Sequence, residues 1–365
     1  MIRDIRYISM NKILDLYTDY LMTTTGKATC TNLSNVLDNS YSHDEFSRML
    51  KQSNFDSKFL WQESKVYVKE LSNSKSLNIL VLDDCIQEKM WSDESDLICW
   101  HFDHSKQRSV KGVNFISSLL VCDEVSIPVG VEFIRKDIIV TNPKTCKQQR
   151  KSSKTKNELF KDLVSSANER MPIDYVVADS WYSSADNMKT LHSKEHLKFV
   201  MAIKSNRKIA LSKEAKFAGQ YLGIESLELE GNPKEIWLKE LDFPLLLVKQ
   251  IFKNGDGEVG VIYLVTNDLN LDATQITTIY KKRWKVEEYH KSLKQNNAFA
   301  KSPTHTIKTQ TNHFIASIIA FLKYEILKLK HQQNHFALKS KIIIAANKAA
   351  LTTLRDLSEN RKYAA

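Results

Sequence analysis

The first 75 residues carry apolar side chains at the spacing of helices. The stretch IRYISMNKILDLYTDYLM is amphipathic over several turns, which predicts a helix with one buried face. The stretch TCTNLSNVLDNSYSHDEFSRML predicts two short helices, the second beginning after Ser42 with Glu45 three residues later, a capping-box pattern. Two short helices joined by a tight turn suit either a DNA-binding helix-turn-helix or a small helical packing domain. Both interpretations stay open at this point.

A different pattern begins at residue 77, where continuous apolar runs replace helical spacing. LNILVLDDC (77–85) predicts a buried strand, and VNFISSLLVCDEVSIPVGVEFI (113–134) predicts strands of a meander with a turn near Asp123 and Glu124. Helix and strand patterns then alternate, with helices at 158–171 and 184–194 and strands at 174–180 and 199–205. This alternation predicts an α/β core.

The second half of the chain returns to helices after a mostly β segment. Residues 206–268 contain the β-type runs EIWLKEL, FPLLLVKQIF and VGVIYLVT, with a turn predicted at Asn254-Gly255-Asp256-Gly257. A helix is expected from Asp272 to about Asn297, and two more at 313–330 and 339–357, whose apolar stripes predict core or dimer packing. We therefore expect five segments: a helical domain at 1–75, the first part of the core at 76–205, a mostly β insertion at 206–268, the second part of the core at 269–335 and a C-terminal helix at 336–365.

The charge balance points to a polyanionic partner. The 365 residues include 53 Lys and Arg against 43 Asp and Glu, a formal net charge of +10. Basic proteins of this kind commonly bind nucleic acid or other polyanions. Residues 141–157 hold many of the cations and no acid, which predicts a solvated loop or, alternatively, a loop that contacts phosphates.

Composition also argues against several classes of protein. Only 9 Gly and 6 Pro argue against a turn-rich all-β chain. There is no run of about 18 apolar residues that would predict a membrane span, and the N-terminus lacks the apolar core of a secretory signal. The five cysteines show no C-x-x-C spacing, which argues against a disulfide framework or a zinc site and favours a reducing cytoplasm.

Two of the predicted apolar strands end in aspartate, at Asp83 and at Asp179. The carboxyl ends of neighbouring parallel strands meet at one crevice, where ligands bind. Two carboxylates at such ends repel each other unless a cation neutralises them, and oxygen ligands suit Mg²⁺ or Mn²⁺. Either residue alone could equally be an ordinary turn residue at the end of a strand.

The predicted helix at 279–295 carries polar side chains on one stripe and apolar ones on the adjacent arc. At about 100° per residue, the stripe contains Tyr280, Arg283, Glu287, His290 and Lys294. An acid flanked by bases is consistent with a plain salt-bridge network. Alternatively, Glu287 binds a metal ion while Arg283 and Lys294 hold phosphates.

The same helix carries a recognisable motif. The string Tyr280-x-x-Arg283-Trp284-x-x-Glu287-x-x-His290-Lys291-x-Leu293-Lys294 resembles the Tyr-Arg-Glu-Lys signature of DDE-type insertion-sequence transposases. That signature has two residues between Tyr and Arg, three between Arg and Glu, and six between Glu and Lys, and all three gaps match. A strand ending in Asp83-Asp84 and the motif VVADSWY (176–182) precede it in the order of the family. The resemblance covers roughly residues 77–330.

The resemblance implies a fold and a catalytic site. The implied fold is an α/β, RNase H-like catalytic core interrupted by a mostly β insertion, after a helical N-terminal domain. The implied site is a triad of Asp83, Asp179 and Glu287 that binds two Mg²⁺ ions, with Mn²⁺ as a possible substitute. Cys85 stands where the family usually has Thr, and Asp84 competes with Asp83 for the first acidic position, for which we favour Asp83.

The resemblance also implies DNA contacts from the signature helix. Tyr280, Arg283 and Lys294 would contact DNA at the transposon end, and we expect their motif neighbours Lys291 and His290 to contribute. Trp181 could stack on an exposed base or be a core aromatic. We expect Trp284 to pack in the core. The cluster of His101, Asp103 and His104 is expected to form a polar loop near the cleft rather than a metal site.

The function expected from the resemblance is cut-and-paste transposition. The protein would bind double-stranded DNA at terminal inverted repeats, cleave there and join the 3′-hydroxyls to target DNA, as a homodimer in a synaptic complex. We expect it in the bacterial cytoplasm, on the nucleoid when bound to DNA and not at a membrane. The alternatives are a structure-selective nuclease on the same fold and a non-catalytic DNA-binding protein derived from a transposase.

Overall fold

The computed structural model describes residues 12–360 except 73–75, 142, 144, 145, 230, 254–256 and 258. Most of the turn predicted at 254–257 and the beginning of the first predicted helix therefore lie outside the described residues. The chain divides into two compact units, one formed by residues up to 63 together with those from 289 onward, and one formed by residues 64–288. The five segment boundaries expected from the sequence stay predictions.

The first unit is helical and is built around one long late helix. Its helices are α1 (Lys12–Thr23), α2 (Cys30–Val36), α3 (His43–Gln52), α10 (Ile307–His331) and α11 (His335–Asn360), with the beginning of α4 (Ser57–Ser72) and the end of α9 (Trp284–Asn296). Residues 310–326 of α10 are all buried, so the predicted core packing of this helix is confirmed. The hydroxyl of Tyr17 in α1 lies 2.9 Å from His313 Nδ1 in α10.

The short N-terminal helices form as their capping pattern predicted. The backbone N–H of Ser42 donates to Glu45 Oε2 at 2.7 Å at the beginning of α3, so the capping box is confirmed. Asn312 of α10 holds the end of α3, because its amide nitrogen donates to the carbonyls of Leu50 and Ser53 at 2.8 and 2.7 Å. The helices near both ends of the chain thus share one core.

The second unit contains a mixed parallel and antiparallel sheet of nine strands, counted over the described residues. Its strands are β1 (Ile79–Glu88), β2 (Cys99–Asp103), β3 (Arg108–Cys122), β4 (Val125–Phe133), β7 (Tyr175–Ala178), β8 (Lys198–Ile203), β11 (Lys234–Ile236), β12 (Leu245–Lys253) and β13 (Val259–Thr266). They run in the order β11-β12-β13-β8-β7-β1-β3-β2, and β4 also pairs with β3. β7 is parallel to both β1 and β8, and the other pairings are antiparallel.

Smaller elements surround this sheet. Two ribbons pair β5 (Ile138–Thr141) with β6 (Gln148–Lys151) and β9 (Lys208–Ile209) with β10 (Leu222–Gly223). The helices are the rest of α4, α5 (Lys156–Asn168), α6 (Ala185–Lys189), α7 (Lys213–Phe217), α8 (Ala273–Lys281) and the first turn of α9. None of the helices in the described part of the chain is long and apolar enough to cross a membrane.

The buried runs of the sequence become the central strands. All four residues of β7 are buried, which suits a strand with neighbours on both edges and cover on both faces. The predicted meander at 113–134 is confirmed as β3 and β4, with Asp123 in the left-handed region at the turn (φ 52°). The strands β11–β13 come from the mostly β segment and extend the same sheet beyond β8.

One predicted loop is partly a strand. Residues 141–157 were expected to form a solvated loop, but Gln148–Lys151 forms β6 and pairs with β5 in the register Val140↔Gln149. The side chains of β6 are polar and mostly exposed, so no alternation of apolar residues marks it as a strand. Pairing with the apolar run of β5 provides the backbone hydrogen bonds that its own sequence does not predict.

Candidate active site

Asp83 and Asp179 lie at adjacent positions of neighbouring parallel strands. Ile79, Leu80 and Val81 of β1 pair with Tyr175, Val176 and Val177 of β7. The same register continued by two residues brings Asp83 beside Asp179, which directly follows β7. The prediction that the first strand ends at Asp83 is wrong, because β1 continues to Glu88 by pairing with β3. Along β1 the residues are buried up to Leu82 and half-buried from Asp83 onward. The two carboxylates therefore meet where the sheet opens toward solvent.

The electrostatics of this pair are unfavourable in the metal-free chain. Burial raises the pKa of Asp83 to about 7, helped by the negative charges of Asp179 and Asp84 and opposed by Arg283. Burial also raises the pKa of Asp179, opposed by the backbone N–H of Trp181, which donates to its Oδ1 at 2.9 Å. Carboxylates held together out of water in this way disfavour ionisation until a cation neutralises them.

Arg283 links the first acidic residue to the third. Its Nη1 lies 3.4 Å from Asp83 Oδ2, and its Nη2 donates to Glu287 Oε1 at 2.6 Å. The guanidinium carbon lies 5.9 Å from the centre of the Tyr280 ring, and burial raises the pKa of that tyrosine to about 12. Tyr280, Arg283 and Glu287 thus converge on Asp83 within β1, although Asp83 precedes Arg283 by 200 residues.

The helix that carries the signature is interrupted, contrary to the prediction of one helix from Asp272 to about Asn297. α8 ends at Lys281 and α9 begins at Trp284. Across the junction the backbone makes i→i−3 hydrogen bonds, including Arg283 N–H to the Tyr280 carbonyl at 2.9 Å and Val286 N–H to the Arg283 carbonyl at 3.1 Å. Such bonds wind the chain more tightly than an α-helix, so positions after the junction shift around the axis.

This shift accounts for an error in the sequence prediction. Trp284 was expected in the core, but 60% of it is exposed. The prediction rested on one uninterrupted helix, and the junction removes that premise.

The remaining signature residues lie on the part of α9 that belongs to the helical unit. His290 is buried, and burial lowers its pKa to about 3, so the expected direct contact with DNA is not supported. Lys291 and Lys294 are exposed, as a phosphate contact requires. Two of these three residues therefore remain candidates for DNA binding.

Asp84 is held by hydrogen bonds of its own. Lys156 Nζ lies 2.7 Å from its Oδ2, and the Tyr182 hydroxyl donates to its Oδ1 at 2.7 Å. Tyr182 is fully buried, and its ring stacks on Phe160 at 5.0 Å. Both oxygens of Asp84 are thus engaged, which favours Asp83 as the acidic residue that faces Asp179. Sequence reasoning missed both partners, and only Tyr182 had a signal, because it lies in the VVADSWY motif.

The predicted polar loop at 101–104 begins inside a strand. His101 is buried in β2, with Nε2 3.2 Å from the Cys99 Sγ, and burial lowers its pKa to about 4. The expectation of a loop is therefore wrong for His101 and Asp103, because both lie in β2 and pair with β3 through His101↔Val110 and Asp103↔Arg108. Asp103 accepts hydrogen bonds from Ser105, and His104 contacts the ring of Trp181.

The acidic residues suit a magnesium site by their chemistry. Carboxylate oxygens are the ligands that Mg²⁺ prefers, and the repulsion between Asp83 and Asp179 is what a bound cation would relieve. Among the residues that the structure describes, no three His, Cys, Asp or Glu side chains converge closely enough to hold a metal ion. Glu287 is paired with Arg283 instead. Metal binding by all three acidic residues thus requires this ion pair to open.

Comparison with protein families identifies the superfamily of the chain. A model described as a DDE superfamily endonuclease matches residues 7–219, and a model described as a transposase DDE domain matches residues 136–322. No curated protein matches the chain. Asp83 and Asp179 fall within the first match, and Asp179 and Glu287 within the second. The chain belongs to the DDE superfamily of transposases and endonucleases.

Proposed function

We propose that the protein is a transposase that cleaves DNA at the ends of an insertion sequence and joins the 3′-hydroxyl ends to target DNA. The observation that carries the proposal is the convergence of Asp83, within β1, and Asp179, directly after β7, with Glu287 tied to Asp83 through Arg283. These acidic residues occur in the order of the family motif. The strand order β4-β3-β1-β7-β8 supports an RNase H-like core.

We assign the metal ligands to Asp83, Asp179 and Glu287. When bound, two Mg²⁺ ions, or Mn²⁺ in their place, would activate the attacking oxygen and stabilise the leaving oxygen of a phosphodiester. Three carboxylates offset most of that charge and leave positions open for substrate. Lys156 and Tyr182 keep Asp84 out of this ligand set, because they occupy both of its oxygens.

The cations of the site are assigned to DNA. Arg283 has a planar fork of donors that matches a phosphate, so it can exchange its carboxylate partners for the DNA backbone. Tyr280 orients this guanidinium through its ring. Lys291 and Lys294 add affinity that does not depend on sequence, through release of counterions. The N-terminal helices are the candidates for recognition of the inverted repeats.

Two reactions follow from one site. In cleavage, a water oxygen bonds to phosphorus and the bond from phosphorus to the 3′-oxygen breaks, which leaves a 3′-hydroxyl and a 5′-phosphate. In joining, that 3′-hydroxyl attacks a target phosphodiester and displaces another 3′-oxygen, so the number of phosphodiester bonds is conserved. Two ends must be joined together, which favours a homodimer in a synaptic complex.

The test is cleavage of labelled DNA that carries the ends of the element, in Mg²⁺. We expect Asp179→Asn and Glu287→Gln each to lower the rate on the order of 1,000-fold, because metal ligation is lost. Glu288→Gln and Asp186→Asn are matched controls, since both carboxylates are exposed and pair with surface lysines. Full activity in either site variant would overturn the assignment.

A second readout separates transposition from its alternatives. A supercoiled plasmid added as target should become covalently joined to the labelled 3′ ends. A structure-selective nuclease would release cleaved ends without joined product. A non-catalytic DNA-binding protein would give neither product while still retarding the labelled DNA.

A further inference from the structure

We infer that an exposed row of aromatic rings beside Asp179 binds unpaired bases of single-stranded DNA. The aromatic row consists of Phe102, His104 and Trp181. The inference rests on the proposed function, because it specifies the form in which DNA is held at the same site.

The three rings contact one another without being covered. The ring centres of Phe102 and His104 lie 4.9 Å apart, and those of His104 and Trp181 lie 5.2 Å apart. Phe102 is 49% exposed and Trp181 45% exposed, and His104 is exposed as well. Contiguous apolar surface left in water costs free energy, and on a folded chain it commonly marks a binding site.

The aromatic row leads to the acidic residues of the site. The backbone N–H of Trp181 donates to Asp179 Oδ1, so the indole is only two residues from a proposed metal ligand. At the other end, Phe102 lies on β2, which ends the strand order of the sheet. Side chains of β2 alternate, with Cys99 and His101 buried and Trp100 and Phe102 directed outward. The row therefore extends from β2 through His104 to Trp181, two residues after Asp179.

Cations accompany the row. Lys156 Nζ lies 5.3 Å from the centre of the Trp181 ring while it contacts Asp84. Lys204 and Arg207 line a cavity of about 190 Å³ together with Trp181. Aromatic faces flanked by cations are the combination by which proteins hold single-stranded nucleic acid, since bases stack and phosphates pair.

The geometry favours unpaired bases over an intact duplex. In a duplex, each base face is covered by its neighbours, so a ring can stack only on a base that has left the helix. Unstacking a base costs free energy that a new aromatic partner offsets. A row that begins beside Asp179 is placed to hold the bases next to the phosphodiester under attack, once that strand has separated from its partner.

The direct test measures DNA binding without metal, in EDTA. The probes are a dye-labelled oligo(dT) of about 12 nucleotides, which suits the site sizes of single-strand binding proteins, and a blunt duplex of similar length. We expect Trp181→Ala to weaken oligo(dT) binding roughly 5-fold to 100-fold, with duplex binding little changed. Trp181→Phe should retain most of the affinity, because it keeps an aromatic face.

Trp91 provides the matched control. It is fully exposed on the connection after β1 and lies outside the aromatic row, so Trp91→Ala removes an exposed indole of the same kind. We expect its oligo(dT) affinity to equal that of the wild type. An equal loss in Trp91→Ala and Trp181→Ala, or no loss in Trp181→Ala, would overturn the inference.

A second measurement uses the unaltered chain. Photocrosslinking to oligo(dT) that carries 5-iododeoxyuridine, followed by mass spectrometry, should attach DNA to Phe102, His104 or Trp181. Crosslinks confined to other regions would refute the binding of single-stranded DNA at the aromatic row. If the wild type cleaves DNA in Mg²⁺ but Trp181→Ala binds oligo(dT) as tightly as the wild type, this inference is wrong and the proposed function stands. If the wild type does not cleave DNA but its oligo(dT) binding depends on Trp181, the proposed function is wrong and this inference stands.

Discussion

One cluster of charged side chains in each compact unit shows a different balance of charge. In the helical unit, the ammonium of Lys323 is buried, yet it lies 2.6 Å from carboxylate oxygens of both Asp15 and Asp19. The buried carboxylate of Glu325 contacts Lys328 Nζ and His335 Nε2, each at 2.9 Å. These contacts connect α10 to α1 and to α11. The charges of Lys323 and Glu325 are thus paired and stabilise the packing of helices.

In the α/β unit, three carboxylates lie close together in the middle of β1 and directly after β7. Asp83, Asp84 and Asp179 are close enough for their charges to raise the pKa of Asp83. A fold gains no stability from such repulsion, and groups perturbed in this way concentrate where a ligand completes the charge balance. The charges described in the helical unit are paired and stabilise its packing, whereas the crowded carboxylates of the α/β unit form the proposed cation site.

The largest effect is expected from breaking the paired charges. Lys323→Ala should lower the free energy of unfolding by about 3 kcal/mol, because it removes a buried cation from two carboxylates and leaves a gap in α10. Chemical denaturation measures the change. Lys330→Ala, on the exposed end of the same helix, is the matched control and should change little. Equal effects of the two substitutions would contradict a structural role for the paired charges.

Added metal should stabilise the unit with the crowded charges. At about 100 times its dissociation constant, a bound ion raises the free energy of unfolding by roughly 2.7 kcal/mol. We expect Mg²⁺ or Mn²⁺ to raise the unfolding temperature of wild type and of Lys323→Ala alike, and to have little effect on Asp179→Asn. Stabilisation that persists in Asp179→Asn would place the ion elsewhere.

A smaller effect is expected from the neutral histidine of the α/β unit. Because burial holds the pKa of His101 near 4, below its ordinary value of 6.5, the folded chain binds fewer protons than the unfolded chain between these values. The free energy of unfolding should therefore decrease as the pH is lowered through this window, by about 2 kcal/mol from about pH 8 to pH 5. Denaturation at several pH values, compared with His101→Gln, isolates this contribution, which the variant should lack.

The sequence predicted those parts of the site that follow from local rules. Asp83 and Asp179 could be placed together because each ends a buried apolar run, and parallel strands bring such ends to one edge. The capping box at Ser42 and Glu45 is likewise a local pattern, and the structure contains it. The spacing of Tyr280, Arg283 and Glu287 identified the signature helix as a candidate without any knowledge of its surroundings.

What the sequence did not predict depends on contacts between distant residues. The junction of α8 and α9 lies where Lys282 Nζ donates to the carbonyl of Asp123 and Arg283 reaches Asp83, and neither partner is near in sequence. The exposure of Trp284 follows from this junction. The engagement of Asp84 by Lys156 requires α5 to be positioned first, because 72 residues separate the two.

The smallest predicted effect contrasts the two adjacent carboxylates of β1. In EDTA, Asp83→Asn should raise the free energy of unfolding by about 1 kcal/mol, since a neutral amide relieves its repulsion with Asp179 and Asp84. The gain is limited because Asp83 also loses its 3.4 Å contact with Arg283. Asp84→Asn should have the opposite sign, because the Asp84 carboxylate accepts two hydrogen bonds of 2.7 Å from Lys156 and Tyr182. Denaturation of both variants measures the contrast. A loss of stability in both would mean that Asp83, like Lys323, serves the fold, and that the charges at the strand ends are not held for a ligand.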